Sequence, residues 1–150
     1  MKIERAAPED HTALTTLTKR SKAFWNYSKQ QLDDWDELLT ITPEYILENQ
    51  TFKLFSDDEI IGYYSLLEVA TQTLKLDNLF ISPDFIKKGY GKILLDDVIR
   101  NARKGNYASL ILESDPHAED FYSRFGFVKI GKVETSVIGR FLPIMKISLV

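Results

Sequence analysis

Two neighbouring segments decide the fold of this chain: Leu79-Phe80-Ile81-Ser82-Pro83 and, two residues later, Ile86–Lys92 with the sequence Ile-Lys-Lys-Gly-Tyr-Gly-Lys. The first segment is apolar enough to form a buried strand, and Pro83 ends it. The second opens an amphipathic helix. In such a strand–loop–helix, glycines let the backbone approach a ligand, and the amides of the helix start favour an anion. With its lysines, the loop indicates a phosphate or pyrophosphate ligand.

The glycine loop matches neither of two common phosphate-binding fingerprints. A Walker loop requires G-x-x-x-x-G-K-[ST], which the sequence lacks, and a dinucleotide fingerprint requires Gly or Ala where Leu94 stands. Taken alone, Gly89-Tyr90-Gly91 also fits a glycine turn before a surface helix whose lysines are solvated. Other parts of the sequence are needed to choose between these interpretations.

The composition restricts the class of protein. With 150 residues, 44% of them apolar, the chain is long enough for one domain with a substantial core. The net charge of −3 argues against a general nucleic-acid binder. The lack of cysteine excludes disulfides and a cysteine nucleophile, and only His11 and His117 offer imidazole, so we expect no metal. No signal peptide or membrane span is recognisable, which predicts a cytoplasmic protein.

The hydrophobic periodicity predicts a mixed α/β or α+β domain with one sheet and helices on its faces. Predicted strands cover residues 3–6, 52–55, 60–69, 74–81, 108–112, 127–130 and 141–150. Predicted helices begin at residue 8, include residues 32–39 and 43–47, follow the glycine loop, and cover residues 117–125.

Local signals predict some of the boundaries. Asp57-Asp58 is expected to form a hairpin turn, and Gly105 is expected to stop the helix that follows the glycine loop. In the last strand, Leu142 and Ile144 are expected to alternate with more polar positions, with Pro143 near a sheet edge.

Two segments resemble motifs of the GNAT N-acetyltransferases. Residues 74–103 are similar to motif A of that family, in which [RQ]-x-x-G-x-[GA] follows a strand; here residues 86–91 match, with Ile86 replacing Arg or Gln. Residues 115–127 are similar to the family's N-x-x-A-x-x-F-Y-x-x-x-G-F, with Asp115 replacing Asn. Because the two motifs occur in the right order, a strand apart, they favour the ligand-binding interpretation of the loop.

The resemblance implies the GNAT acyl-CoA N-acyltransferase fold over a single domain, residues 1–150. This fold has a central, mostly antiparallel sheet, helices on both faces, and two parallel strands that splay apart, here residues 74–81 and 108–112.

The resemblance also implies acetyl-CoA as co-substrate. Backbone groups of Phe80 and Ile81 would bind the pantetheine arm. The pyrophosphate would be held by the amides of Lys87, Lys88, Gly89, Tyr90, Gly91 and Lys92. The second motif adds Asp115, Ala118 and Phe121 to the expected cofactor-binding residues.

The family resemblance also implies direct attack of an amine on the thioester, without an acyl-enzyme. Tyr122 matches the tyrosine that often protonates the leaving thiolate. An ammonium with a pKa near 10.4 must lose a proton before it attacks, so a base or water is required. Asp77 and Glu68 are the candidate bases, and each is also compatible with a solvated carboxylate at a strand end.

On the acceptor side, Trp25 and Tyr27 would cover an amine by stacking or cation–π contact. Arg140 would contact an anionic group of the acceptor or pair with a carboxylate of the protein.

The leading function is acetylation of a small amine. The alternatives are acetylation of a protein or peptide amine, and a non-catalytic module that binds acyl-CoA. Expected partners are acetyl-CoA and the acceptor, with no nucleic acid and no membrane, and a homodimer through the last strand remains an open alternative.

Overall fold

The structure, a computed structural model, describes residues 1–135 and 137–150. Its strands are β1 Lys2–Arg5, β2 Gln50–Ser56, β3 Glu59–Ala70, β4 Thr73–Ile81, β5 Ser109–Glu113, β6 Val128–Glu134 and β7 Phe141–Ser148. Its helices are α1 His11–Ala23, α2 Lys29–Asp34, α3 Pro43–Glu48, α4 Tyr90–Lys104 and α5 Glu119–Arg124. Short 3₁₀ turns precede α1, α4 and α5. The seven strands form one sheet in the order β1-β2-β3-β4-β5-β7-β6. The predicted mixed α/β class is confirmed.

The chain divides into two compact units, the first of which comprises Met1–Leu66 and Asn78–Asp97. In this unit β1, β2 and the start of β3 pair in antiparallel fashion. The β2–β3 hairpin turns at Asp57 and Asp58, both with positive φ, as the sequence predicts. The core of this unit consists of apolar side chains from α1, α3 and β3 and from the segments that follow β1 and precede α3: Ala6, Leu14, Leu17, Ile41, Ile46 and Tyr63.

The second unit comprises Leu67–Asp77 and Val98–Val150. Here the beginning of β4 pairs in parallel with β5, over Thr73–Lys75 and Ser109–Ile111. Although β4 continues to Ile81, this parallel ladder is only three pairs long. Strand β7 lies between β5 and β6 and pairs with both in antiparallel fashion.

The strand predicted over residues 141–150 is present as β7, but its predicted buried face and edge position were wrong. Pro143 and Met145 are buried, whereas Leu142 and Ile144 are only partly buried. Strand β7 is internal to the sheet, and Pro143 is tolerated there because it lies just beyond Ile144, the last residue paired with β5. The carbonyl of Pro143 still accepts a hydrogen bond from Ser114 N–H, at 2.8 Å.

Of two predicted helix ends, one differs in the structure and one is confirmed. Helix α2 ends at Asp34, so the predicted helix 32–39 is shorter, and Leu38 is 79% exposed. Helix α4 ends at Lys104, directly before Gly105, as predicted, although the residue with positive φ is Asn106. Gly105 is needed for space instead, because a Cβ there would lie 2.8 Å from the ring of Tyr107.

In the described part of the chain, no helix is long and apolar enough to cross a membrane.

Gly62 on β3 sets the close approach of β3 to the end of β4 within the first unit. An added Cβ would lie 2.8 Å from the Phe80 carbonyl oxygen and 2.7 Å from Ile81 Cδ1. We therefore expect Gly62→Ala to lower the free energy of unfolding by about 1–3 kcal/mol, as overpacking typically does. Urea unfolding measures this change.

Gly131→Ala on β6 is the matched control, because its Cβ would contact only Ile144 Cδ1, at an ordinary 3.9 Å. Its stability should stay within about 0.5 kcal/mol of the wild-type value. Equal stabilities for the two variants would show that Gly62 does not limit the approach of β4.

Candidate functional site

The loop between β4 and α4 has a backbone that only a few residue types adopt easily. Lys87 has φ +66° and Gly89 has φ +86°, both in the left-handed region. The space above Gly89 is open, since an added Cβ would meet nothing within 4 Å. Ile93 N–H bonds to the Gly89 carbonyl at 3.4 Å, so helix geometry leaves the amides of residues 90–92 without an acceptor inside α4. These amides are available to an anion.

The same loop concentrates positive charge. Lys87, Lys88 and Lys92 are all exposed. The ring of Phe85 packs edge-on against Tyr90, with centroids 5.8 Å apart, and Lys88 Nζ lies 5.8 Å from the Phe85 centroid. Two aromatic rings therefore brace the loop while its ammonium groups remain in solvent. The donor set, backbone amides and lysines, suits a pyrophosphate.

The end of β4 is anchored on one face. The ring of Phe80 stacks on Tyr63 with centroids 6.0 Å apart and packs against the core of the first unit. Just beyond the strand, Ser82 N–H donates to the Ile61 carbonyl at 2.8 Å. These contacts fix the position of the Phe80 and Ile81 backbone, which sequence analysis assigned to the pantetheine arm.

A polar cluster on the first unit was missed by sequence analysis. Tyr45 on α3, Ser65 on β3 and Asn78 on β4 form a triangle of hydrogen bonds. Tyr45 Oη and Ser65 Oγ are 2.8 Å apart, and Asn78 Nδ2 donates to both, at 3.2 and 3.0 Å. Because these residues are common types distant in sequence, no motif connects them, and only the fold brings them together.

Tyr122 belongs to the second unit and is 7% exposed. Burial raises the pKa of its hydroxyl above the usual value of 10, and the negative charge of Asp115 raises it further. The Tyr122 ring makes edge contacts with Phe121 and Phe127, at centroid distances of 5.1 and 5.6 Å. The hydroxyl therefore stays protonated throughout the neutral range.

Asp115 organises the start of the second motif. Its carboxylate accepts from His117 N–H at 2.9 Å and lies 3.8 Å from Arg140, while its carbonyl accepts from Ala118 N–H at 2.8 Å. The Asp115 carboxylate thus caps this turn, a role that an Asn side chain can also perform. Of the two roles considered for Arg140, the structure shows a carboxylate pair; its contact with an acceptor stays a prediction.

The two candidate bases each have a polar neighbour. Asp77 lies 3.8 Å from Lys75, whose ammonium is closer to Glu113, at 2.8 Å. Glu68 accepts a hydrogen bond from Tyr107 at 2.8 Å, and this bond raises the pKa of Tyr107. The roles of Asp77 and Glu68 as bases stay predictions.

The aromatic segment after α1 contacts an ammonium group of the protein itself. Lys22 Nζ lies 5.1 Å from the Tyr27 centroid and 5.3 Å from that of Trp35, and the two rings meet edge-on. Trp35 is buried, as expected for a core residue. Trp25 packs edge-on against Phe24. The contact of Trp25 and Tyr27 with an acceptor stays a prediction.

Among residues 1–135 and 137–150, no group of three or more His, Asp or Glu side chains is arranged to hold a metal ion.

Comparisons with known proteins agree on the family. The model of the acetyltransferase (GNAT) domain matches residues 25–149. YvbK of Bacillus subtilis, named as an uncharacterized N-acetyltransferase, is 30% identical over 90 residues, a match that covers 58% of each chain. YafP of Escherichia coli, named in the same way, is 24% identical over 140 residues, covering 89% of this chain and 87% of that protein.

Solved structures show the same fold. A GCN5-related N-acetyltransferase from Rhodopseudomonas palustris has a TM-score of 0.83 at 18% identity, over 98% of this chain and 94% of that one. The PaiA N-acetyltransferase from Thermoplasma acidophilum, solved in complex with coenzyme A, has a TM-score of 0.81 at 21% identity, over 98% of both chains. Since the family model matches residues 25–149, which include both motif segments, this chain belongs to the GNAT acetyltransferase family.

Proposed function

We propose that residues 1–150 form one acetyl-CoA-dependent N-acetyltransferase domain that transfers an acetyl group to a primary amine of a small molecule. The observation that carries the proposal is the loop between β4 and α4, with its left-handed backbone at Lys87 and Gly89 and its exposed lysines. A loop of this kind fits the pyrophosphate of coenzyme A, and the chain belongs to a family of acetyltransferases.

The residues that would hold acetyl-CoA come from both motifs. Amides of residues 87–92 bind the pyrophosphate, and the backbone of Phe80 and Ile81 pairs with the pantetheine arm. The binding is mainly to main-chain groups, so an apolar Ile86 in place of Arg or Gln is compatible with it. Asp115, Ala118 and Phe121 complete the proposed set from the second motif.

In the proposed reaction the amine nitrogen attacks the thioester carbonyl carbon. A C–N bond forms, and the C–S bond breaks with its electron pair on sulfur. The nitrogen loses one proton to Asp77, Glu68 or water, and the sulfur gains one to leave as a thiol. No acyl-enzyme is needed, which is consistent with the absence of cysteine.

Tyr122 is the proposed proton donor to the leaving sulfur. Its pKa lies above 10, whereas that of a free thiol is about 8.5. Tyr122 therefore enters the reaction with its proton and stabilises the developing thiolate by donating a hydrogen bond.

A small acceptor is supported by the aromatic segment 24–27 and by the uncharged cluster of Tyr45, Ser65 and Asn78. The test is release of coenzyme A thiol when acetyl-CoA is mixed with ethanolamine, spermidine, lysine, kanamycin or a short peptide. The proposal expects thiol release that depends on one of the small amines. Release with the peptide alone would identify a peptide acetyltransferase, and binding of acetyl-CoA without release would identify a non-catalytic module.

For Tyr122→Phe we expect kcat to fall at least about tenfold, because the leaving thiolate loses its hydrogen-bond donor. The pH profile of the wild-type enzyme should show no ionisation of Tyr122 below about pH 10, since burial raises its pKa. Steady-state kinetics from pH 6 to 9.5 measure both quantities.

Tyr64→Phe is the matched control, because Tyr64, like Tyr122, is a buried tyrosine. Its hydroxyl donates to the carboxylate of Asp97, at 2.7 Å. It should lower stability while kcat changes less than twofold. Unchanged kcat in Tyr122→Phe would remove Tyr122 from the mechanism and leave the family assignment intact.

For Gly89→Ala we expect acetyl-CoA affinity to fall about tenfold, which corresponds to about 1.4 kcal/mol. Alanine disfavours φ +86°, so the loop amides would turn away, and stability should fall by about 1–2 kcal/mol. Calorimetric titration and urea unfolding measure the two effects.

Gly139→Ala provides the control, since Gly139 also has positive φ, +81°, and open space for a Cβ. It should lose similar stability and bind acetyl-CoA like the wild type. Equal affinity for acetyl-CoA in both variants would show that the backbone of the loop does not bind the cofactor.

A further inference from the structure

The cluster of Tyr45, Ser65 and Asn78 determines the orientation of one amide. If Asn78 Oδ1 faced the two hydroxyls, each would donate its hydrogen to that oxygen, and none would remain for the 2.8 Å contact between Tyr45 and Ser65. With Nδ2 facing them, its two N–H groups and one hydroxyl hydrogen satisfy all three contacts. The hydrogen-bond count therefore fixes Nδ2 inward and Oδ1 outward.

Asn78 Oδ1 is accessible. Both hydrogen bonds of the Asn78 side chain use Nδ2, and within the described residues Oδ1 has no hydrogen bond. The described residues also contain no buried side-chain oxygen or nitrogen without a partner, so Oδ1 is in contact with solvent. A fixed, uncharged hydrogen-bond acceptor thus faces outward from a partly buried side chain.

The position of Asn78 on β4 connects this acceptor to the proposed reaction. It lies two residues before Phe80, on the same face of the strand, because side chains two apart point the same way. On that face Phe80 packs against the core that includes α1, the helix that the aromatic segment 24–27 follows. Asp77 points to the opposite face, so of the three proton acceptors proposed for the reaction, Asp77 does not serve an amine bound at Asn78.

We propose that Asn78 Oδ1 binds the amine nitrogen of the acceptor, with Tyr45 and Ser65 as positioning residues that hold the amide. The inference rests on the proposed function and deepens it by assigning the acceptor-amine site. The site takes a primary amine through an N–H···O hydrogen bond and contributes no negative charge.

The neutrality of this site has a chemical consequence. A free ammonium has a pKa near 10.4, and only its deprotonated form attacks a thioester. A carboxylate within about 4–6 Å would favour the charged form and raise that pKa by about 1–3 units, whereas partial burial beside an amide lowers it. Asn78 thus binds the amine without stabilising its unreactive form.

The decisive variant is Asn78→Asp, assayed with whichever of ethanolamine, spermidine, lysine and kanamycin the wild type acetylates fastest. We expect kcat at pH 7.5 to fall at least tenfold, the alkaline rise of kcat to move up by about one pH unit, and KM for the amine to stay equal or fall. Asn106→Asp adds the same charge on an exposed turn and should match the wild type in all three.

Two further variants separate binding from stability. Asn78→Ala should raise KM for the amine about tenfold without moving the pH profile. Tyr45→Phe, which frees one N–H of the amide, should raise KM a few-fold. Acetyl-CoA affinity, measured by calorimetry, should equal the wild-type value in both, which also verifies that the variants are folded.

The outcomes distinguish the two proposals. If the wild type releases no thiol with any amine, the proposed function fails and the acceptor site falls with it. If the wild type is active but Asn78→Asp keeps its kcat and pH profile, or Asn78→Ala keeps its KM, the acceptor site is overturned while the function stands.

Discussion

The short parallel ladder between β4 and β5 is the constraint on which the rest of the structure depends. Pairing covers only Thr73–Lys75, yet β4 runs on to Ile81. Beyond the ladder the strand is held by β3, through the close approach at Gly62 and the bond from Ser82 to Ile61. We propose that the other backbone edge at Phe80 and Ile81 pairs with the peptide-like pantetheine arm.

Charge and backbone act together in the same segment. The chain as a whole carries a net charge of −3, but the loop that follows β4 gathers Lys87, Lys88 and Lys92 around Gly89. Residues in the left-handed region turn the chain into α4, whose first N–H groups have no acceptor inside the helix. The lysines add long-range electrostatic attraction for an anion. The two groups proposed to act on the amine and the sulfur are uncharged: the amide of Asn78 and the protonated hydroxyl of Tyr122. Such groups suit a reaction that needs a neutral amine and a leaving thiolate.

Sequence alone predicted the elements whose chemistry is local. The glycine loop, the Asp57-Asp58 turn and the second motif depend on neighbouring residues, and these were found. Prediction from sequence failed where contacts between residues distant in the chain determine the structure. The run from Phe141 to Met145 is apolar at every position, so the sequence does not show which face is buried, and the face with Pro143 and Met145 was missed. The contact of Lys22 with Tyr27 and Trp35 and the cluster of Tyr45, Ser65 and Asn78 join residues that no short motif links.

We propose that main-chain amides of the loop between β4 and α4 hold the pyrophosphate of acetyl-CoA. Amide hydrogen exchange of residues 87–92, with and without saturating acetyl-CoA, tests this proposal, with the Asp57-Asp58 turn as an internal reference. We expect exchange to slow in residues 87–92 and to be unchanged at the turn. Unchanged exchange in the loop at saturating acetyl-CoA would contradict it.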